Sequence, residues 1–214
     1  MWVLALDTTT AAGSVALADG VRVLELAPVD PSQPVAARVP ADLIALLSRH
    51  HIDLRRIDLF AVATGPGSFT GLRIGIAAMQ GLALARGRPL IGVSAFDALT
   101  FLADSPRVSV WIDAWRGEVY ATEYERGVQL RPAIVAPPDQ ALAASRHRDS
   151  VYIGDGAVKY GDRLPRLIAP TPLLAGAVAA LAHGRAEAGE LPPPHAIRPL
   201  YVRRPDAELA RERR

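Results

Sequence analysis

The stretch with the most chemical potential is Thr64-Gly65-Pro66-Gly67-Ser68-Phe69-Thr70-Gly71-Leu72-Arg73-Ile74-Gly75. An apolar run at 59–63 precedes it and Ile76 to Ala85 follows, the order of a strand, a tight glycine turn and a helix. Gly65 and Gly67 can supply backbone angles that a Cβ forbids, Pro66 fixes its own φ, and Ser68 or Thr70 can cap the helix. Backbone N–H groups converging at a helix start can hold an anion, which makes Gly65, Gly67 and Ser68 candidate cradle residues. Two carboxylates, Asp7 and Asp113, each end an apolar run. Between two lobes they could hold a hydrated magnesium ion. Alternatively, Asp7 caps its own turn through Thr9 or Thr10.

The specific motifs fail one by one. A P-loop needs four residues between its glycines and a Lys-Ser or Lys-Thr after them; here five intervene between Gly65 and Gly71, and Leu72-Arg73 follows. The dinucleotide fingerprint fails at Thr70, and the nucleophile elbow fails because Pro66 stands two before Ser68. The five histidines, His50, His51, His147, His183 and His195, make no H-x-x-x-H or H-E-x-x-H pair. With no cysteine, disulfides, thiolate catalysis and Cys-type zinc sites are excluded.

The helix after the loop carries more information than the loop. Gly71, Gly75, Ala78 and Ala85 share one stripe with Leu72, Ile76 and Met79 beside it, and only Arg73, Gln80 and Arg86 are strongly polar. A helix apolar nearly all round is buried on both sides. One side faces its own sheet; the other calls for a second helix of the chain or a partner chain.

The elements that position these residues read as a meander, then crossovers. Strands at 1–6, 13–18 and 21–26, with an Asp19-Gly20 hairpin turn, lead to a proline-rich loop from Pro28 to Pro40. A helix follows over 40–50, with Leu43, Ile44 and Leu47 at helical spacing. The strand at 59–63, the glycine loop and its helix, a strand at 89–93 and a helix from Ser94 to Leu102 complete a mixed sheet covered by helices. Beyond Asp104-Ser105-Pro106 the pattern restarts in reduced form, with strands at 108–113, 118–124, 128–135 and 151–153, and helices over 139–145 and 172–188. This predicts a lobe over 1–103, a smaller lobe over 104–190, and a proline-rich linker with a basic tail over 191–214.

At 214 residues, half of them hydrophobic and only 6% aromatic, the core is built mainly from Ala, Val, Leu and Ile. The formal net charge of +2 makes no general case for nucleic acid, although six arginines against three acids lie between Arg198 and Arg214. Trp2 to Leu6 is too short for a membrane span and lacks the basic flank of a signal peptide, so a soluble cytoplasmic protein is expected.

The stretch Thr64 to Gly75 resembles the signature of the TsaB family, formerly described as glycoprotease-like. Leu4 to Thr9 with Ser14 to Leu17 resembles that family's first hairpin, and Gly92 to Phe96 the segment after the signature helix. Asp113-Ala114-Trp115-Arg116-Gly117-Glu118-Val119-Tyr120 resembles the opening of the second lobe, and Pro199-Leu200-Tyr201-Val202-Arg203 the closing motif. The resemblance implies an α/β, actin-like (ribonuclease H-like) fold of two lobes, each a mixed sheet with helices, the second reduced. It implies a role in forming threonylcarbamoyladenosine next to the anticodon of tRNA, without catalysis by this chain, through dimerisation with a TsaD-like transferase. A TsaE-like ATPase joins the assembly, and tRNA is met through the complex.

The resemblance also places the shared interface on the helices 40–50 and 71–85, with Leu43, Leu47, Gly71, Leu72, Gly75, Ile76, Ala78 and Met79 as the expected partner-binding residues. It implies no metal and no cofactor of this chain's own, with ATP and magnesium acting at the level of the complex; an exposed partner-helix surface predicts a homodimer when the chain is alone. One departure stands out: Val35 to Pro40 replaces a His-Ser-Glu-like stretch of many relatives. The alternative from the residues is an ATP-dependent phosphotransferase using Asp7 and Asp113, with Thr9, Gly65, Gly67 and Ser68 around the nucleotide. Trp115 follows Asp113 where a small phosphate turn belongs, and a peptidase lacks both a triad and metal ligands.

Overall fold

The computed structural model describes residues 1–10, 13–29, 34–147, 149–165, 168–169 and 172–203. The chain begins with β1 (Trp2–Asp7), β2 (Ser14–Asp19), β3 (Arg22–Pro28), α1 (Val35–Arg49), β4 (Leu59–Ala63), α2 (Phe69–Arg86), β5 (Leu90–Val93) and α3 (Ala95–Leu102). It continues with β6 (Arg107–Asp113), β7 (Val119–Glu125), β8 (Val128–Gln129), β9 (Ile134–Ala136), α4 (Pro138–Ala143), β10 (Val151–Ile153), α5 (Asp155–Lys159), β11 (Ile168–Ala169) and α6 (Ala175–Glu187). These divide into two compact units, 1–102 with 172–199, and 103–171 with 200–214.

In the first unit the sheet order is β3-β2-β1-β4-β5. β1 is central because both its faces are apolar: Val3, Leu4, Ala5 and Leu6 are all fully buried. It pairs antiparallel with β2 and parallel with β4, and β4 pairs parallel with β5. Alternation splits the side chains by size. Leu17, Leu4, Phe60 and Leu90 form a cross-strand row that joins α1 and α2 in one core cluster. The adjacent row, Ala16, Ala5, Ala61 and Ile91, is dominated by alanine and faces the other way. That face takes α6, whose Ala175, Ala177, Val178, Ala179 and Ala182 are buried and whose Ala175 N–H donates to Ser14 Oγ at 3.0 Å.

Three expectations change here. Helix α6, read from sequence as part of the second lobe, packs on the first sheet, because an alanine-rich helix fits closely on an alanine row. The proline-rich segment after it is fixed in the same unit: Ile197 is buried, and Gln80 Nε2 donates to the carbonyls of Pro194 and Ile197 at 2.9 and 3.0 Å. Helix α1 starts five residues earlier than the proline pattern suggests, with Pro34 at its N-cap and Pro40 inside it. Pro40 forfeits one backbone hydrogen bond. It sits on the exposed side, while Arg38, Val39, Leu43, Leu46 and Leu47 bury a continuous stripe that holds the helix together.

The second unit repeats the strand order of the first as β11-β10-β6-β7-β8, with β9 also on β7. β6 stands where β1 stands, antiparallel to β7 and parallel to β10. Its core centres on Trp111 and Tyr152, packed edge to face with centroids 5.7 Å apart, joined by Val119, Ala121, Ala141 and Ala157. Buried Glu123 accepts the Arg146 N–H at 3.1 Å on each carboxylate oxygen and so ties down the turn after α4.

Candidate functional site

The glycine loop is closed by the segment after β1. Asp7 is buried, and its Oδ1 accepts the Thr9 N–H at 2.8 Å and the Thr9 hydroxyl at 2.6 Å. That is a side-chain-capped turn. The Thr8 hydroxyl donates to the Gly71 carbonyl at 2.8 Å, and Ser68 N–H donates to the Thr9 carbonyl at 2.7 Å. Ser68 is the N-cap of α2, its Oγ accepting the Gly71 N–H at 3.2 Å. Two of the amides that an anion cradle would use are therefore spent inside the protein.

The glycines serve this closure. A Cβ on Gly67 would lie 2.3 Å from the Thr9 carbonyl oxygen, one on Gly71 2.3 Å from that of Thr8, and one on Gly75 2.2 Å from Thr8 Oγ1. The loop and α2 come against the end of β1 at contact distances only glycine permits.

The second unit has a counterpart built from different groups. Asp113, at the end of β6, accepts Lys159 Nζ at 2.8 Å on Oδ2 and the Trp115 N–H at 3.2 Å on Oδ1. Its own N–H donates to Asp155 Oδ1 at 2.9 Å, which also accepts the Gly156 N–H at 2.8 Å. Burial holds the Asp155 carboxyl above its ordinary pKa, partly offset by these two amides. Trp115, Arg116 and Gly117 take positive φ in succession, so the turn after Asp113 is a left-handed backbone path with a half-exposed indole. A Cβ on Gly156 would meet the Asp113 backbone at 2.9 Å, matching the approach of α2 to Thr8 in the first unit. Among the described residues, no three His, Cys, Asp or Glu side chains group in a way that could hold a metal ion.

The outward faces of α1 and α2, which pack against each other, carry a different surface. On α1 the exposed stripe is Ala37, Pro40, Ala41, Ile44, Ala45 and Ser48, with Ile44 64% accessible. On α2 it is Phe69, Arg73, Ala77, Gly81 and Leu84, with Ile74 and Ala78 partly open; Phe69 and Leu84 are 51% and 57% accessible. A Cβ on Gly81 would meet nothing within 4 Å. Glycine inside a helix costs about 1 kcal/mol relative to alanine, and among the described residues no contact accounts for it at this position.

The structure buries most of the partner residues expected from sequence. Leu43, Leu47, Gly71, Leu72, Gly75, Ile76 and Met79 are all buried inside the unit, against the sheet or between the helices. Ala78 alone of that set is partly open. Ile44, Ala77, Gly81 and Leu84, which stand exposed on the outward faces, were not among the residues named, because the size of α2's residues marks its core side more strongly than its outer one. Gly81 was the available signal.

A family-level profile described as TsaD, tRNA N6-adenosine threonylcarbamoyltransferase, matches residues 28–144, more than half of the chain. The Haemophilus influenzae tRNA threonylcarbamoyladenosine biosynthesis protein TsaB is 31% identical over 176 residues, 73% of this chain and 73% of that protein. The Escherichia coli protein of the same name is 41% identical over 133 residues, 59% of this chain and 56% of its own length, so the aligned part spans little more than half of that relative. The structure of YeaZ from Pseudomonas aeruginosa superposes with a TM-score of 0.78 at 31% identity, covering 94% of this chain and 99% of that one. The fold they share is the two-lobed actin-like α/β fold. On these matches and the repeated strand order, the chain belongs to the TsaB family.

Proposed function

We propose that this chain is a non-catalytic subunit in the formation of threonylcarbamoyladenosine on tRNA, acting by docking a TsaD-like transferase against the outward faces of α1 and α2. The observation that carries the reading is the exposed stripe itself. Ile44, Phe69 and Leu84 stand out of a floor of Ala37, Ala41, Ala45, Ala77 and Gly81. Small residues at helical spacing let another helix approach closely, and larger apolar ones at the margins supply area to bury. An interface of ordinary size buries on the order of 1,200–2,000 Å² in total, and two helices of 15 and 18 residues offer a surface of that scale.

The polar residues support the same reading. Asp7 caps a turn, Ser68 caps a helix and Asp113 is held by Lys159, so each of the groups considered for chemistry has a local structural task. Without the transferase, the same apolar face pairs two copies of the chain. A TsaE-like ATPase joins at the level of the assembly, and ATP with magnesium acts there.

The test is Gly81→Trp, with Ala77→Trp beside it. Both positions are exposed, so folding should survive, with an unchanged circular dichroism spectrum. Co-elution with the TsaD-like transferase on size exclusion should be lost, with affinity down at least tenfold. Undiminished co-elution of both folded variants would place the interface elsewhere.

A further inference from the structure

We propose that the first unit carries its own RNA-backbone contact, an arginine patch around Trp2 at the opposite end of the parallel strands from the glycine loop. Its members come from three separate pieces of chain: Arg55 and Arg56 in the 3-10 turn Leu54–Arg56, Arg88 just before β5, and Arg86 in the last turn of α2. Trp2 and Asp58 link two of them, Arg56 and Arg88, and Arg55 adjoins Arg56 in the chain. The Arg56 guanidinium lies over the Trp2 ring, 5.9 Å from its centroid. Trp2 N–H donates to Asp58 Oδ2 at 2.9 Å, and Arg88 Nη2 stands 3.8 Å from Asp58 Oδ1.

The carboxylates in this patch are committed to backbone. Asp53 Oδ1 accepts the Arg55 N–H at 2.7 Å and caps the 3-10 turn, while Asp58 takes the Trp2 amide. Asp19, opposite Trp2 in the sheet, is paired with the N-terminal amine, and among the described residues the ion pair between these arginines and Asp53 or Asp58 is the long one from Arg88. Arg55, Arg56 and Arg88 are exposed. A guanidinium lying over an indole is held in place with its N–H edges outward, the geometry that accepts a phosphate with two parallel hydrogen bonds. Arg86 also offsets the negative end of α2, so the discriminating residues are Arg55, Arg56 and Arg88.

The occupant this fits is the phosphodiester backbone of RNA, read without base specificity. The inference rests on the proposed function only for the choice of tRNA as that RNA. It adds a direct contact to one expected through the complex alone.

The experiment is fluorescence anisotropy of labelled unmodified tRNA with the full chain, over a salt series. Wild type should bind at low salt and weaken as salt rises. Arg56→Gln/Arg88→Gln should bind about tenfold more weakly at low salt, and the slope of log affinity against log salt should shrink by about 0.7–0.9 per arginine removed. Arg163→Gln, in the other unit, should match wild type. The transferase is absent from this titration, which separates this contact from transferase docking. Three results would each overturn the proposal: no binding by the wild-type chain, an unchanged slope in the folded double variant, or competition by polyglutamate equal to that by RNA.

Discussion

Gly71 and Gly81 lie on one helix ten residues apart and serve opposite ends. Gly71 is where the backbone of α2 meets the Thr8 carbonyl; Gly81 has open space where its side chain would be. Alanine at the two positions should separate them. Gly71→Ala drives a methyl into backbone and should cost about 1–3 kcal/mol of folding stability, read as a lower denaturation midpoint. Gly81→Ala should gain up to about 1 kcal/mol from helix propensity alone. If Gly71→Ala folded as stably as wild type, the close approach at the end of β1 would not be what the glycine is for. Residue identity alone could not tell these glycines apart, because glycine in an apolar helix can mark either a close backbone approach or an open outer face. Contacts with Thr8, 63 positions earlier in the chain, made the difference. Asp7 was legible in its humbler form: an Asp followed by Thr-Thr-Thr signalled a capped turn, and Thr9 supplies both hydrogen bonds.

Among the elements, local signals placed most strands to within a residue or two. Leu59–Ala63 and Val151–Ile153 are continuous apolar runs bounded by turns, and Ser94 caps α3 through a 3.0 Å bond from the Asp97 N–H. What failed were elements whose place depends on distant partners. Pro40 was read as a helix start because proline is well tolerated in a first turn, yet it sits inside α1, where five buried side chains outweigh the lost hydrogen bond. The segment 191–199 was read as a linker because prolines stiffen it; Gln80 makes it a strap. Gln80→Leu removes two hydrogen bonds worth about 1 kcal/mol each. Amide exchange at Ala196 and Ile197 should then accelerate roughly 10- to 30-fold, while the strands keep their protection. Unchanged exchange at these amides would mean that burial of Ile197, not Gln80, holds the strap.

At the scale of the whole molecule, the duplication is the organising fact. The first sheet's order 3-2-1-4-5 recurs in the second, where β8 and β9 both pair with β7, and each sheet has an Asp ending its central strand and a glycine of a following helix packed against that strand's end. The restart after residue 103 was visible because apolar runs and Asp endings recur in order. The destination of α6 was not, since nothing local to an Ala-rich helix says which of two sheets holds an alanine row. The basic tail beyond Arg203 lies outside the described residues, while Arg203 itself pairs with Glu118. Of the residues named for a partner surface, all but Ala78 lie on the inward faces of α1 and α2, because residue size marks the core side of a helix more strongly than its outer side.

A reconstituted modification assay tests the central claim most directly: a TsaD-like transferase, a TsaE-like ATPase, the carbamoyl donor and unmodified tRNA, with and without this chain. Threonylcarbamoyladenosine should form with the wild-type chain, and fall to the level of the no-chain control with folded Gly81→Trp. Full modification without the chain, or with the Gly81→Trp variant, would contradict the account.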